Sequence, residues 1–238
     1  MEGEEASFFA LCDGENALPL IAAQDHKRAF DGDAGPNTGG MGAYSPAPVF
    51  THDVENDVME RIIRPVLTEM RGRGAPYRGV LYAGLMIGAE GARLVEFNAR
   101  FGDPECQVLM RRLDSDILPA LYAAAVGRLA GASLDWSRDA CALVVLAAKG
   151  YPGAYARGGR IDGVERANAL PGVVVFHAGT KENDGELLAE GGRVLNVTAT
   201  GATIREAVRR AYDGVEAISF ADGFCRSDIG WRALGARS

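Results

Sequence analysis

Residues 94–105 read Leu94-Val95-Glu96-Phe97-Asn98-Ala99-Arg100-Phe101-Gly102-Asp103-Pro104-Glu105, and the rest of the 238-residue chain is interpreted outward from this stretch. Val95–Asn98 alternates apolar and polar residues, the pattern of a strand whose side chains point to opposite faces in turn. On that reading Glu96, Asn98 and Arg100 share one face, while Val95 and Phe97 enter a core. Asp103-Pro104-Glu105 carries the signals of a helix start: a capping Asp, Pro at the first helical position and an acid in the first turn. A carboxylate and an amide two residues apart offer hard oxygens to a divalent cation, as Mg²⁺ is held in sites that handle phosphates. Arg100, just beyond them, can neutralise a phosphoryl group. A solvated strand face accounts for the same Glu and Asn, so spacing alone leaves both readings open.

Composition narrows the class. Apolar content of 47% is ordinary for a globular protein, and the formal charge of -7 argues against a nucleic-acid partner. A local basic pocket for a phosphorylated metabolite remains compatible with that charge. Cys12, Cys106, Cys141 and Cys225 are dispersed, with no Cys-x-x-Cys pair, which suits a reducing compartment. The start, Met1-Glu2-Gly3-Glu4-Glu5, is acidic and lacks a signal peptide's basic region. No apolar run approaches the roughly 18 residues of a membrane span. The expectation is a soluble, cytoplasmic protein with no membrane partner.

From the beginning, Glu4–Leu11 alternates loosely, and Asp13-Gly14 signals a hairpin into a returning strand over 17–23. The chain thus starts inside a sheet, and a segment upstream is expected. Asp25, His26, Lys27 and Arg28 then gather an acid, an imidazole and two cations at the strand's end. The run 31–46, including Asn37, Thr38, Gly39, Gly40, Met41 and Gly42, reads as an irregular loop that brings backbone N–H groups close to an anion. It has neither Walker nor Gly-x-Gly-x-x-Gly spacing, and a long surface turn is the alternative. His26 is read either as an acid–base group or as a hydrogen-bonded structural residue. A helix is expected over 51–73, capped by Thr51 or Asp53 and kinked or split at Pro65. A hairpin spans 79–98, and helices follow Asp103 and Asp116, with Leu109, Leu113, Leu118 and Leu121 in the core. Composition shifts at 135–139, dividing the chain into 1–136 and 137–238. Beyond it lie strands at 141–148, 173–176, 186–189 and 193–200. Thr203 and Glu206 fit a capping box for a helix to about 218. Arg226 and Asp228 read as a local salt bridge.

Several of these stretches together carry a resemblance. They are Gln24-Asp-His-Lys-Arg28, Gly35-Pro-Asn-Thr-Gly-Gly-Met-Gly-Ala-Tyr-Ser-Pro46, Leu81-Tyr-Ala-Gly-Leu-Met86, Glu96–Glu105, Gly150-Tyr-Pro-Gly153, Phe176-His-Ala-Gly-Thr180 and Asp228-Ile-Gly-Trp-Arg-Ala233. In this order they resemble the phosphoribosylamine–glycine ligase family over nearly the whole chain. The resemblance implies an α+β architecture: a partial ATP-grasp domain with a mixed or antiparallel sheet and helices, then a small β-rich carboxyl-terminal domain. It implies a ligase of de novo purine synthesis, in which ATP phosphorylates glycine and the amine of 5-phosphoribosylamine attacks the acyl phosphate. The implied roles are Glu96 and Asn98 for Mg²⁺ (or Mn²⁺) and Arg100 for the transferred phosphoryl charge. Asp25, His26, Lys27, the loop residues Asn37 to Gly42 and Asp103 would lie on the glycine side, and Glu5 on the nucleotide side. Family members also carry an amino-terminal α/β domain and a lid ahead of the residues seen here. The amino-terminal half is therefore expected either as a separate partner chain or as a part missing from a truncated one. Strand 80–87 holds no carboxylate, so a second metal would depend on Glu96. A truncated, catalytically inactive ATP-grasp-like binding domain is the alternative. A different ATP-grasp amine ligase is disfavoured by the glycine-rich loop and the Asp228-Ile229-Gly230 ending.

Overall fold

The computed structural model describes residues 1–235. The first elements are β1 (Glu4–Asp13), β2 (Ala17–Pro19), β3 (Gln24–Asp25), β4 (Arg28–Phe30), β5 (Ala34–Asn37), β6 (Gly42–Ser45), α1 (His52–Val58) and α2 (Arg64–Gly72). Next come β7 (Arg78–Gly88), β8 (Gly91–Asn98), α3 (Glu105–Arg112), α4 (Leu118–Val126), β9 (Ala140–Ala148), β10 (Arg160–Ile161) and α5 (Val164–Asn168). The chain continues through β11 (Val173–His177), β12 (Thr180–Asn183), β13 (Glu186–Ala189), β14 (Arg193–Gly201), α6 (Ile204–Glu216), β15 (Gly223–Phe224) and α7 (Trp231–Leu234). Tertiary contacts define two units interleaved in sequence. The first holds 1–24, 46–102 and 113–137; the second holds 25–45, 103–112 and 138 onward. The composition shift near 136 coincides with the last of these borders, while 25–45 and 103–112 pack with the second unit.

The first unit is built on an antiparallel sheet of order β2-β1-β7-β8. Ala6, Phe8, Ala10 and Cys12 of β1 share a face with Leu81, Ala83, Leu85 and Ile87 of β7, and this face buries against Val58, Met59, Ile63 and Leu67. Thr51 caps that helical run by accepting the Val54 N–H at 3.3 Å. The disturbance expected at Pro65 takes the form of a π-turn over Met59–Ile63, with Pro65 in the first turn of α2. The wider turn accommodates a residue that has no N–H to give the α-ladder.

Two core assignments are corrected here. Gly84 pairs with Glu96 but Leu85 pairs with Leu94, so Val95 is the extra residue of a β-bulge. The bulge resets the alternation: Leu94 and Phe97 pack on the core, and Val95 is 53% exposed. Leu118, expected inside, is 66% exposed, and Ala120 and Ala124 are buried in its place. α4 is apolar on every side, so its pattern carries no direction. Its small alanines allow it close to β1 and β7.

The second unit centres on a sheet of order β11-β14-β9-β6-β3, with β15 also pairing β9. β9 is buried along its whole length because both faces are covered. Cys141, Leu143, Val145 and Ala147 pack with Val108 of α3, while Ala140 and Ala142 pack with Ala207 and Val208 of α6. Thr203 accepts the Glu206 N–H at 3.2 Å, and Glu206 returns a carboxylate oxygen to the Ala202 N–H at 2.9 Å. The glycine-rich run is more regular than expected. Residues 34–37 pair with 28–30 in a two-stranded ribbon, and 42–45 are a buried sheet strand. The helix expected at Pro104 begins at Glu105, after a cis Asp103–Pro104 peptide.

Candidate functional site

The expected residues gather in two clusters, one within each unit. In the first, the strand register aligns Ser7 with Gly84 and Gly84 with Glu96, and Tyr82 with Asn98. Glu5, two residues before Ser7, shares this face, which is opposite the helix-covered one. Glu96 is exposed and Asn98 half-buried, and the Asn98 amide donates to Glu96 Oε1 at 3.3 Å. A Cβ on Gly84 would sit 3.2 Å from Glu96 Cγ and 3.3 Å from the Tyr82 ring, so the glycine gives the carboxylate its space. Ser7 and Tyr82 hydroxyls meet at 3.0 Å beneath. Arg100 is exposed just past β8 and donates to the Phe101 carbonyl at 2.8 Å. Glu5 is exposed, and its carbonyl accepts from Gln24 Nε2 at 3.0 Å. Gln24 also reaches Glu4 Oε2 at 3.3 Å. It is a buried amide not singled out by spacing, and its only sequence signal is its place beside the 25–28 charges.

Among the described residues no group of three or more His, Cys, Asp or Glu side chains could hold a metal ion. Glu96 and Asn98 form a two-residue set of hard oxygens open to solvent. That donor set fits Mg²⁺, which commonly takes one or two protein ligands and fills its octahedron with phosphate and water oxygens.

In the second cluster Asp25 is buried and accepts Lys27 Nζ at 3.2 Å. The glycine-rich run does not hold its backbone N–H groups open for an anion, as its composition suggested. Thr38 N–H bonds the Lys27 carbonyl at 2.7 Å, Gly39 N–H the Tyr151 hydroxyl at 3.1 Å, Gly40 N–H the Thr38 hydroxyl at 2.9 Å and Met41 N–H the His26 carbonyl at 2.8 Å. His26 N–H in turn reaches the Gly42 carbonyl at 2.9 Å. These bonds fold the segment into a rigid strap, with Met41 fully buried and Asn37 exposed.

His26 is fully buried. Its Nε2 accepts the Gly230 N–H at 2.9 Å, which leaves the ring proton on Nδ1, 4.0 Å from Asp33 Oδ1. Burial pushes its pKa down, and the Arg226 and Arg232 charges add to this. The geometry thus gives His26 a structural task, tying the carboxyl-terminal loop to the strap. Arg226, also buried, grips Asp228 through two bonds of 2.8 and 3.0 Å and reaches Asp33 Oδ1 at 2.9 Å and the Arg28 carbonyl at 3.0 Å. His26, Arg226 and Arg232 hold the Asp33 carboxyl well below its usual range. Burial opposes ionisation of Asp228, yet Arg226 and the Gly32 N–H bring it down to about 2. The salt bridge read from sequence is therefore the hub of a network spanning residues 26–33 and 226–232.

Asp103 is half-exposed and bonded at each oxygen. Gln107 Nε2 donates to Oδ1 at 3.1 Å and Arg193 Nη2 to Oδ2 at 2.9 Å, while Arg193 Nη1 donates to the Asp103 carbonyl at 2.6 Å. Arg193 escaped the sequence reading, and the signal for it was a lone Arg opening a strand directly after Gly191-Gly192.

Residues 1–106 match the family described as phosphoribosylglycinamide synthetase, ATP-grasp (A) domain, which puts the sheet bearing Glu96 and Asn98 in the ATP-grasp class. Residues 141–232 match the C domain of the same synthetase. A phosphoribosylamine–glycine ligase of Mesorhizobium japonicum is 58% identical over 98% of this chain, which covers 55% of that protein. One from Vigna unguiculata is 55% identical over 95% of the chain, covering 74% of its own length. The crystal structure of the Thermotoga maritima phosphoribosylamine–glycine ligase superposes with a TM-score of 0.83 at 35% identity, over 96% of this chain and 56% of that one. The chain belongs to the phosphoribosylamine–glycine ligase family. It spans about half the length of the first of these relatives.

Proposed function

We propose that this chain supplies the metal-and-phosphate floor and the acceptor side of an ATP-dependent ligase that joins glycine to 5-phosphoribosylamine. In that reaction a glycine carboxylate oxygen attacks the γ-phosphorus of ATP and ADP leaves. The amine of phosphoribosylamine then attacks the glycyl phosphate, phosphate departs, and an amide forms with loss of a proton. The observation that carries the reading is the sheet face shared by Glu5, Glu96 and Asn98, on which both carboxylates are exposed and Gly84 leaves room beside Glu96. Glu96 and Asn98 would hold Mg²⁺ or Mn²⁺, which supplies charge neutralisation for the phosphates. Arg100, exposed beside them, offsets phosphoryl charge, the main lever of phosphoryl-transfer sites. Glu5 serves the nucleotide side. Lys27, paired to Asp25, and the strap at 37–42 with Asp103 serve the glycine side, with His26 acting through the strap. The remainder of the ligase, supplied as a further segment or a separate chain, completes the site. A cytoplasmic location belongs to this reading. It is supported by four cysteines in thiol form and by the lack, among the described residues, of any helix long and apolar enough to cross a membrane. The test is calorimetric titration of ADP with Mg²⁺. Binding is expected in the parent chain and is expected to weaken by about tenfold or more in Asn98→Ala. Identical isotherms for the two proteins overturn the assignment.

A further inference from the structure

Arg193 makes a set of contacts that none of the site residues above explains. Its Nη1 donates to the Gly39 carbonyl at 2.6 Å as well as to the Asp103 carbonyl at 2.6 Å, while Nη2 takes the Asp103 carboxylate at 2.9 Å. One planar guanidinium therefore joins two segments 64 residues apart in sequence (103 minus 39), both within the second unit. Such a fork fixes direction as well as distance, which a flexible ammonium does not.

The surroundings are shaped to this clamp. A Cβ on Gly40 would stand 2.4 Å from Pro104 Cδ, so that glycine is needed for the close approach, and one on Gly39 would stand 3.0 Å from the guanidinium carbon, in tight contact with it. Gly40 also has φ +111°, a conformation that side-chain-bearing residues rarely adopt. Arg193 itself is delivered from a stiff base. The ladder between β14 and β9 shifts register just after it, which re-aims a side chain. Its carbonyl accepts the Gly179 N–H at 2.9 Å, and Gly192 lies so near Tyr151 that a Cβ would meet the ring at 2.3 Å. That same Tyr151 accepts the Gly39 N–H on its hydroxyl oxygen at 3.1 Å. Gly39 is thus held on both sides of its Cα, by Tyr151 at its N–H and by Arg193 at its carbonyl oxygen.

We infer that Arg193 is a positioning residue, which locks the Gly39–Gly40 peptide to Asp103 and so fixes the acceptor side of the site. This rests on the reading that residues 37–42 and Asp103 serve glycine. Two segments that must meet a small substrate together gain by being registered to one another, because misplacement of about 1 Å can cost about a hundredfold in rate.

The test uses the chain itself with Arg193→Met and Arg193→Lys. Arg193→Met is expected to speed amide hydrogen exchange at Gly39, Gly40 and Met41 by about tenfold or more while the β9 amides keep their protection. Glycine binding is expected to weaken by about tenfold with Mg²⁺–ADP binding unchanged, a split that general destabilisation does not produce. Arg193→Lys recovers part of the protection, since an ammonium keeps a bond to one carbonyl and loses the fork. Unchanged exchange at 39–41 in Arg193→Met overturns the inference, as does a uniform loss that includes β9. Local loss in Arg193→Met with no glycine binding by the parent chain supports the clamp and removes the substrate assignment instead.

Discussion

At the scale of single residues, His26 shows how motif and geometry diverge. An imidazole among charges reads as acid–base equipment, but a fully buried ring whose Nε2 already accepts from Gly230 has no open nitrogen lone pair for chemistry. Its role is visible instead in stability. The folded-state pKa lies below the ordinary value, first because burial disfavours the cation. Between the folded and unfolded pKa values the unfolded chain binds more protons, so stability rises with pH across that window. The contribution is present above the unfolded value of about 6.5 and is lost as pH falls toward the folded one. The unfolding free energy from urea titrations is therefore expected to drop from pH 7 to pH 5, by at most about 1.4 kcal/mol per pH unit from this residue. Asp33 and Asp228, whose pKa values are lowered, contribute to acid loss only below that range. His26→Gln, whose amide oxygen can accept the Gly230 N–H and does not titrate, should flatten the slope. Equal slopes in parent and variant remove His26 from the account.

At the scale of elements, most of the architecture was legible because local signals and burial agree. The Asp13-Gly14 hairpin, the Thr51 cap, the Thr203–Glu206 cap and the β9 strand all follow from patterns of two to ten residues. The misread elements share a cause, which is that the deciding contact is distant in sequence. Val95 fits an ideal alternation, but the register with β7 inserts a bulge that no local pattern announces. Likewise 42–45 looks like loop until β9, a hundred residues later, pairs with it. The bulge makes a sharp prediction. Val95→Lys should change stability by no more than about 0.5 kcal/mol, as for an exposed site. Phe97→Ala, which strips a ring from the core, should cost about 3 kcal/mol. Chemical denaturation of the two variants decides it, and a reversed order would restore the simple alternation.

At the scale of the whole molecule, the family is legible in the sequence because its motifs are long and contiguous, whereas the interleaving of units is not. Residues 25–45 and 103–112 leave one unit and join the other, and only the contact pattern displays this. The same scale governs activity. The chain covers 55% of the Mesorhizobium relative, and the metal floor proposed for it rests on Glu96 and Asn98, with no cluster of three potential ligands among the described residues. Phosphoryl transfer gains its rate from preorganised charge and from exclusion of water, and a floor open to solvent provides little of either. The purified 238-residue chain, given ATP, glycine and phosphoribosylamine, is therefore expected to form no glycinamide ribonucleotide above a Glu96→Ala control. Adding the rest of a relative's ligase as a second polypeptide should bring turnover, and Glu96→Ala should abolish it. Turnover by the unaided chain, lost in Glu96→Ala, would mean that the open face closes by itself and that this segment is sufficient for the chemistry.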